Sequence, residues 1–156
     1  MKSLNKVWIQ RTSTYLNWRY AQSPLGQYVN FAAVDQRDGA IRGYIVTKDE
    51  MRFGLNLGLI FDLAVLPEED SSATLLVGRG IERLQKQGVD VIGCLMLKHH
   101  PLVRALRGNG MLYVPGRLAP RKFHVTISQL TDDQQFNAFI RNPENWFLMW
   151  GDTDTV

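Results

Sequence analysis

Asp62 stands inside the otherwise apolar run Leu55–Val65, and that placement makes it the acid best suited to chemistry. A carboxylate bordered by Phe61 and Leu63 is poorly hydrated, which strengthens it as a proton acceptor and suits a general base acting on an amine. The same placement also suits one half of an ion pair with an arginine, or an acid facing solvent from an open sheet. Just beyond the run, residues 66–74 form a loop of proline, acids and small residues that leads into an amphipathic helix. The first turn of any helix has amides without intrahelical partners and the positive end of the dipole, so Ser71, Ser72, Ala73 and Thr74 border a candidate anion cradle.

The other reactive residue types carry weaker signals. His99-His100-Pro101 offers two imidazoles, but adjacent side chains point in different directions and no Cys or acid stands nearby at ligand spacing. The pair therefore reads as the cap of a strand, and no metal is expected. His124 alternates with Phe123 and Val125, so it faces either a cleft or a hydrogen-bonding partner in the interior. Cys94 has no histidine placed to make a dyad and reads as a small core residue. No nucleophile elbow, Gly-Lys-Ser/Thr phosphate loop or dinucleotide Gly-x-Gly-x-x-Gly follows a strand.

The elements that would position these groups follow from periodicity. Thr12-Ser13-Thr14 caps a short helix over 15–21, whose Tyr15, Trp18 and Tyr20 either line a mouth or anchor the helix on a sheet. Strands are predicted over 28–35 and 40–47, joined by the Asp38-Gly39 turn, and a looser turn over 49–54 leads into Leu55–Val65. Ala73, Leu76, Val77, Gly80, Ile81 and Leu84 share one helical stripe, with Arg79, Arg83 and Lys86 on another face. The run 89–97 is nearly all apolar, as in a parallel strand buried on both faces. A two-turn helix over 102–107 ends at Gly108-Asn109-Gly110. Two last strands are predicted at 113–115 and 123–129, making six or so in all. Asp132-Asp133 opens a final short helix broken at Asn142-Pro143, and the aromatic stretch 146–150 must bury itself or form an interface.

Composition bounds the remaining possibilities. With 156 residues and 45% hydrophobic content, the chain can bury a full core without staples. Its one cysteine, the absence of an apolar leader and the lack of a membrane-length apolar run point to a cytoplasmic protein. The net charge of +3 conceals a basic middle: residues 79–122 hold nine Lys/Arg against two acids. Such a middle suits a phosphate-bearing ligand or is simply a solvated face. Nucleic acid is the poorer partner, because the cations are not interleaved with aromatics. The expected architecture is one α/β unit over 1–130, a mixed and mostly antiparallel sheet flanked by helices, with 131–156 as a helix and an aromatic/acidic tail packed on the same domain.

This order of elements resembles the GNAT superfamily of N-acetyltransferases over roughly residues 15–129. The family's parallel fourth and fifth strands fall here on Leu55–Val65 and 89–97. In that family acyl-CoA lies where those strands part, and its pyrophosphate rests on a Gln/Arg-x-x-Gly-x-Gly/Ala loop. On this chain the loop falls at Glu68-Glu69-Asp70-Ser71-Ser72-Ala73, with Glu68 in the place of a donor. The resemblance implies acetyl-CoA or another acyl-CoA as donor substrate. Leu63, Ala64 and Val65 would lie along its pantetheine arm, and Ser71, Ser72, Ala73 and Thr74 near its phosphates. It implies direct attack by a small-molecule or peptide amine, with Asp62 or a water chain accepting the proton. Leu106 occupies the place of the tyrosine that protonates the leaving thiolate in many members, which leaves Tyr113 for that role. That reaction requires the two strands to open into a wedge that admits the arm. The stretch 146–156, with Gly151-Asp152-Thr153-Asp154, is similar to the C-terminal end of longer bacterial GNAT-like proteins. Its implied partners are an N-terminal GNAT half or a second copy of the chain. The alternative is a non-catalytic GNAT-like module that packs against such a partner.

Overall fold

A computed structural model describes residues 6–24, 26–118 and 125–153. Four strands form one sheet in the order β1 (Val29–Val34), β2 (Ile41–Arg52), β3 (Leu55–Val65) and β4 (Val91–Cys94). The first three make an antiparallel meander, and β4 joins β3 in parallel after the crossover helix α2 (Asp70–Lys86). Ahead of the sheet, Thr12 caps α1 (Ser13–Leu16) by accepting from the Tyr15 amide, and the chain continues as a π-helical turn over Asn17–Ala21. After it come α3 (Val103–Gly108) and α4 (Gln134–Arg141), the latter capped by Asp133, then short 3-10 turns at Pro143–Asn145 and Trp150–Asp152. Among the described residues no helix is long and apolar enough to cross a membrane.

The core has two compartments, one on each face of the sheet. Ile45, Ile60, Leu63, Leu76, Val77 and Leu84 pack between sheet, α2 and α3, while Tyr20, Val46, Leu59 and Phe61 pack beneath α1. Gly80 sits where α2 presses on β2: a Cβ there would lie 2.8 Å from Ile45 Cδ1. That close approach is why the helix carries glycine at the cost of about 1 kcal/mol of helix propensity.

Three expectations change. The looser turn over 49–54 is instead continuous strand, closed by a two-residue turn in which Phe53 and Gly54 have φ of 54° and 77°. The polar run Lys48-Asp49-Glu50 stays in the strand because its charges are paired, Lys48 to Glu50 and Asp49 to Arg83 of α2 at 2.6 Å. The strand expected over 89–97 shortens to Val91–Cys94, since past Cys94 it has no ladder partner. Finally, residues 113–115 and 125–129 are not strands, and residues 123–124, His124 included, lie outside the described residues. Pro115 lacks a ladder donor, and Leu112, Val114 and Val125 are exposed. The sheet therefore has four strands among the described residues.

Candidate functional site

The site is a parting in the sheet. β3 and β4 pair from Leu57↔Val91 to Ile60↔Cys94, and then β3 runs on through Val65 without β4 beside it. The parting coincides with a bulge. Val46 faces Asp62 while Thr47 faces Ile60, so Phe61 is an extra residue on β3. A bulge bends its strand and re-aims the side chains after it. Here it turns Asp62 toward Tyr20 and Tyr44 on the face that already holds Phe61, away from the apolar face under α2.

Asp62 is fully buried and fully engaged. One carboxylate oxygen accepts from Tyr44 Oη at 2.9 Å, Tyr20 Oη at 3.0 Å and Arg11 Nε at 3.4 Å. The other accepts from the Leu63 amide at 3.1 Å and Arg11 Nη2 at 3.3 Å. Burial first, and then the Asp62 charge, push both tyrosine hydroxyls far above their ordinary range, so they remain neutral donors. Arg11 also reaches Asp152 Oδ2 at 2.8 Å, and the side chains of Arg11, Asp62 and Asp152 are 3%, 0% and 1% exposed. Burial alone would lower the Arg11 pKa; its two carboxylates outweigh that and hold it charged. Burial raises Asp152 against the pull of Arg11, and its Oδ1 is buried with no partner among the described residues. An unsatisfied buried oxygen of this kind costs about 1–3 kcal/mol. The arginine pairing weighed for Asp62 is thus the one the structure shows.

The gap itself is filled by residues 146–152. At one end the Phe147 ring stands edge-on to His100, which follows β4, with centroids 4.7 Å apart. Met149 is wholly buried in the core compartment that also holds Leu63 and Leu106. At the other end Gly151 abuts β3: a Cβ there would lie 2.0 Å from Tyr20 Oη and 3.5 Å from the Phe61 carbonyl oxygen. Val7 locks this crossing from outside, through a parallel bridge to Trp146 and through its carbonyl, which accepts from the Phe147 amide. The aromatic tail folds back on the sheet.

The remaining candidates are dispersed. At the helix mouth the first α2 bond runs from the Ala73 amide to the Glu69 carbonyl, so the amides of Asp70, Ser71 and Ser72 start without intrahelical partners. Ser72 Oγ donates to Glu69, which lies 3.8 Å from Arg42, and Thr74 Oγ1 donates to the Asp70 carbonyl. Ser71 and Thr74 are exposed, whereas Ala73 points into the core. Leu63 is buried with its amide on Asp62, and Ala64 and Val65 are half-buried. Tyr113 is 57% exposed, and no hydrogen bond or ring contact joins it to Asp62 or β3 among the described residues. His100 accepts from the Leu102 amide at 3.3 Å and so shapes the turn after β4. Burial pushes the Cys94 thiol up to about 12, with the Asp62 charge adding. The cations of α2 are paired, Arg79 and Lys86 to Glu82 and Arg83 to Asp49. Sequence reasoning missed Arg11 and Tyr44 as members of the site, and no local pattern marks either of them.

No family model and no curated protein matches the chain. Solved structures do. One is a probable acetyltransferase, with a TM-score of 0.55 and 11% identity over 74% of this chain and 76% of the other. A second is an aminoglycoside acetyltransferase from an uncultured soil metagenomic sample, in complex with trehalose. It has a TM-score of 0.55 and 15% identity over 82% of this chain and 80% of the other. The fold is therefore the GNAT-like fold of acetyltransferases, with its parallel pair at β3 and β4.

Proposed function

We propose that this chain is an acyl-CoA-dependent N-acyltransferase of the GNAT type, seen with its donor wedge closed. The observation that carries the reading is the parting itself. β3 continues for five residues past its last pairing with β4. Past Ile60 the β3 edge facing β4 carries backbone groups that β4 does not pair, which an extended amide-bearing chain can use. In an acyltransferase the gap holds the extended amide arm of acyl-CoA alongside residues 63–65. The amine of a small molecule or peptide attacks the thioester carbonyl, and the C–N bond forms as the C–S bond breaks. CoA leaves as a thiolate that solvent protonates, and catalysis rests on positioning the two substrates. With Asp62 held by Arg11 and two tyrosines, a chain of water molecules takes the amine proton. A cytoplasmic setting fits a CoA thioester as donor.

A second reading has its own support. Leu106 is 7% exposed within the core where the family's proton-donating tyrosine would stand, and Glu68, Glu69 and Asp70 crowd the helix mouth. These features favour a non-catalytic module that packs against an N-terminal GNAT half or a second copy. Binding decides between the two. Donor at 100 times its Kd stabilises a fold by about 2.7 kcal/mol, which a thermal-shift series with acetyl-CoA and CoA detects easily. The acids oppose a pyrophosphate, so Glu68→Gln with Asp70→Gly is expected to tighten binding, and added amines are expected to release free thiol. Flat melting curves for both proteins at millimolar acetyl-CoA would leave only the non-catalytic module.

A further inference from the structure

We propose that residues 146–152 are a strap that competes with the acyl arm for the same wedge, so that donor binding requires the strap to swing out. This rests on the reading of the wedge as a donor site. The strap fills the gap without becoming part of the sheet: among the described residues its one β-bridge is to Val7, and β3 pairs with β2 and β4 alone. It is held by side-chain packing and single hydrogen bonds: Met149 is buried in the core, and the Gly151 carbonyl accepts from Tyr15 Oη at 3.2 Å. Phe147 lies against His100, Gly151 fits under the Tyr20 hydroxyl, and Asp152 takes the second arm of Arg11. The lock is also imperfect, because Asp152 Oδ1 is buried without a partner among the described residues. When the strap leaves, Asp62 keeps both tyrosine hydroxyls and its own Arg11 contacts, so the bulge survives the opening.

A ligand whose competent state is rarely populated binds with an apparent Kd raised by the inverse of that population. Loosening the strap should therefore tighten acetyl-CoA binding without touching any residue assigned to hold it. Gly151→Ala is the sharpest variant, since its methyl meets Tyr20 Oη; Asp152→Asn is a milder one that removes the charge and keeps the shape. Circular dichroism establishes that each is folded, calorimetry with acetyl-CoA reads Kd, and hydrogen exchange reads the Phe147 and Met149 amides. Support is a Kd at least tenfold lower in either folded variant, with those amides exchanging faster in wild type once acetyl-CoA is added. Equal Kd in folded variants and wild type overturns the strap while leaving the donor reading standing. So does wild-type binding with the strap amides still protected. Released strap amides in the variants with no binding by any form overturn the donor reading and the proposal together.

Discussion

Taking away the guanidinium of Arg11 would leave Asp62 and Asp152 facing one another as buried carboxylates without a cation between them. Breaking a buried pair from one side costs about 3–5 kcal/mol, mostly for the charge left behind. Arg11→Met should therefore lower the urea midpoint sharply, and adding Asp152→Asn should recover part of the loss, because one stranded charge is then gone. Equal midpoints for Arg11→Met and wild type would show that the cluster contributes nothing. His100 gives a second prediction at this scale. Burial, aided by Lys6 and His99, holds its imidazole down at about 4 against an ordinary value of 6.5. The unfolded chain thus takes up the proton first. Stability from the neutral ring is complete above about 6.5 and is lost as pH falls through about 4. Urea melts between pH 7.5 and 4.5 should show this decline, and His100→Phe should flatten it while keeping a ring against Phe147. Asp62 was legible as an acid out of place in an apolar strand. Its partners were not, because Arg11 lies 51 positions earlier and the bulge at Phe61 leaves no mark on an uninterrupted apolar run.

Elements were more legible than contacts because each is set by its own periodicity. The stripe of Ala73, Leu76, Val77 and Leu84 specifies α2, and the apolar runs specify β3 and β4. What periodicity misses is where a ladder ends, which depends on the partner strand. The shortening of β4 and the non-strand course of 113–115 are both of this kind. The β2–β3 hairpin shows the same limit. Its turn places Phe53 at a φ of 54°, the left-handed region that asparagine and glycine favour and a phenylalanine resists. The residue is 87% exposed, and its one ring–cation contact among the described residues is the Arg52 guanidinium at 5.7 Å, so little packing depends on it. Phe53→Asn should stabilise the protein by about 1 kcal/mol, read as a higher urea midpoint with an unchanged slope. A lower midpoint would mean that the ring holds the hairpin through a contact more valuable than the strain it causes.

At the scale of the whole molecule, Phe147 and Met149 of the strap share the core of the sheet, α2 and α3, while Val7 and Arg11 tie the strap from the other side. The four tryptophans all lie outside the sheet. Trp8 and Trp18 lie ahead of the sheet, Trp146 and Trp150 belong to the strap, and no strand carries one. Far-ultraviolet dichroism reports chiefly the strands and helices, so the two signals watch different parts of the fold. A strap that leaves at a lower free energy than global unfolding makes this a sub-global opening. Indole emission should then shift at a lower urea concentration than the loss of ellipticity, with the separation widening in Gly151→Ala. Coincident transitions in both proteins would mean that residues 146–152 detach only when the sheet itself unfolds. In that case the strap would be a permanent part of the folded body, and the donor reading would stand or fall on acetyl-CoA binding alone.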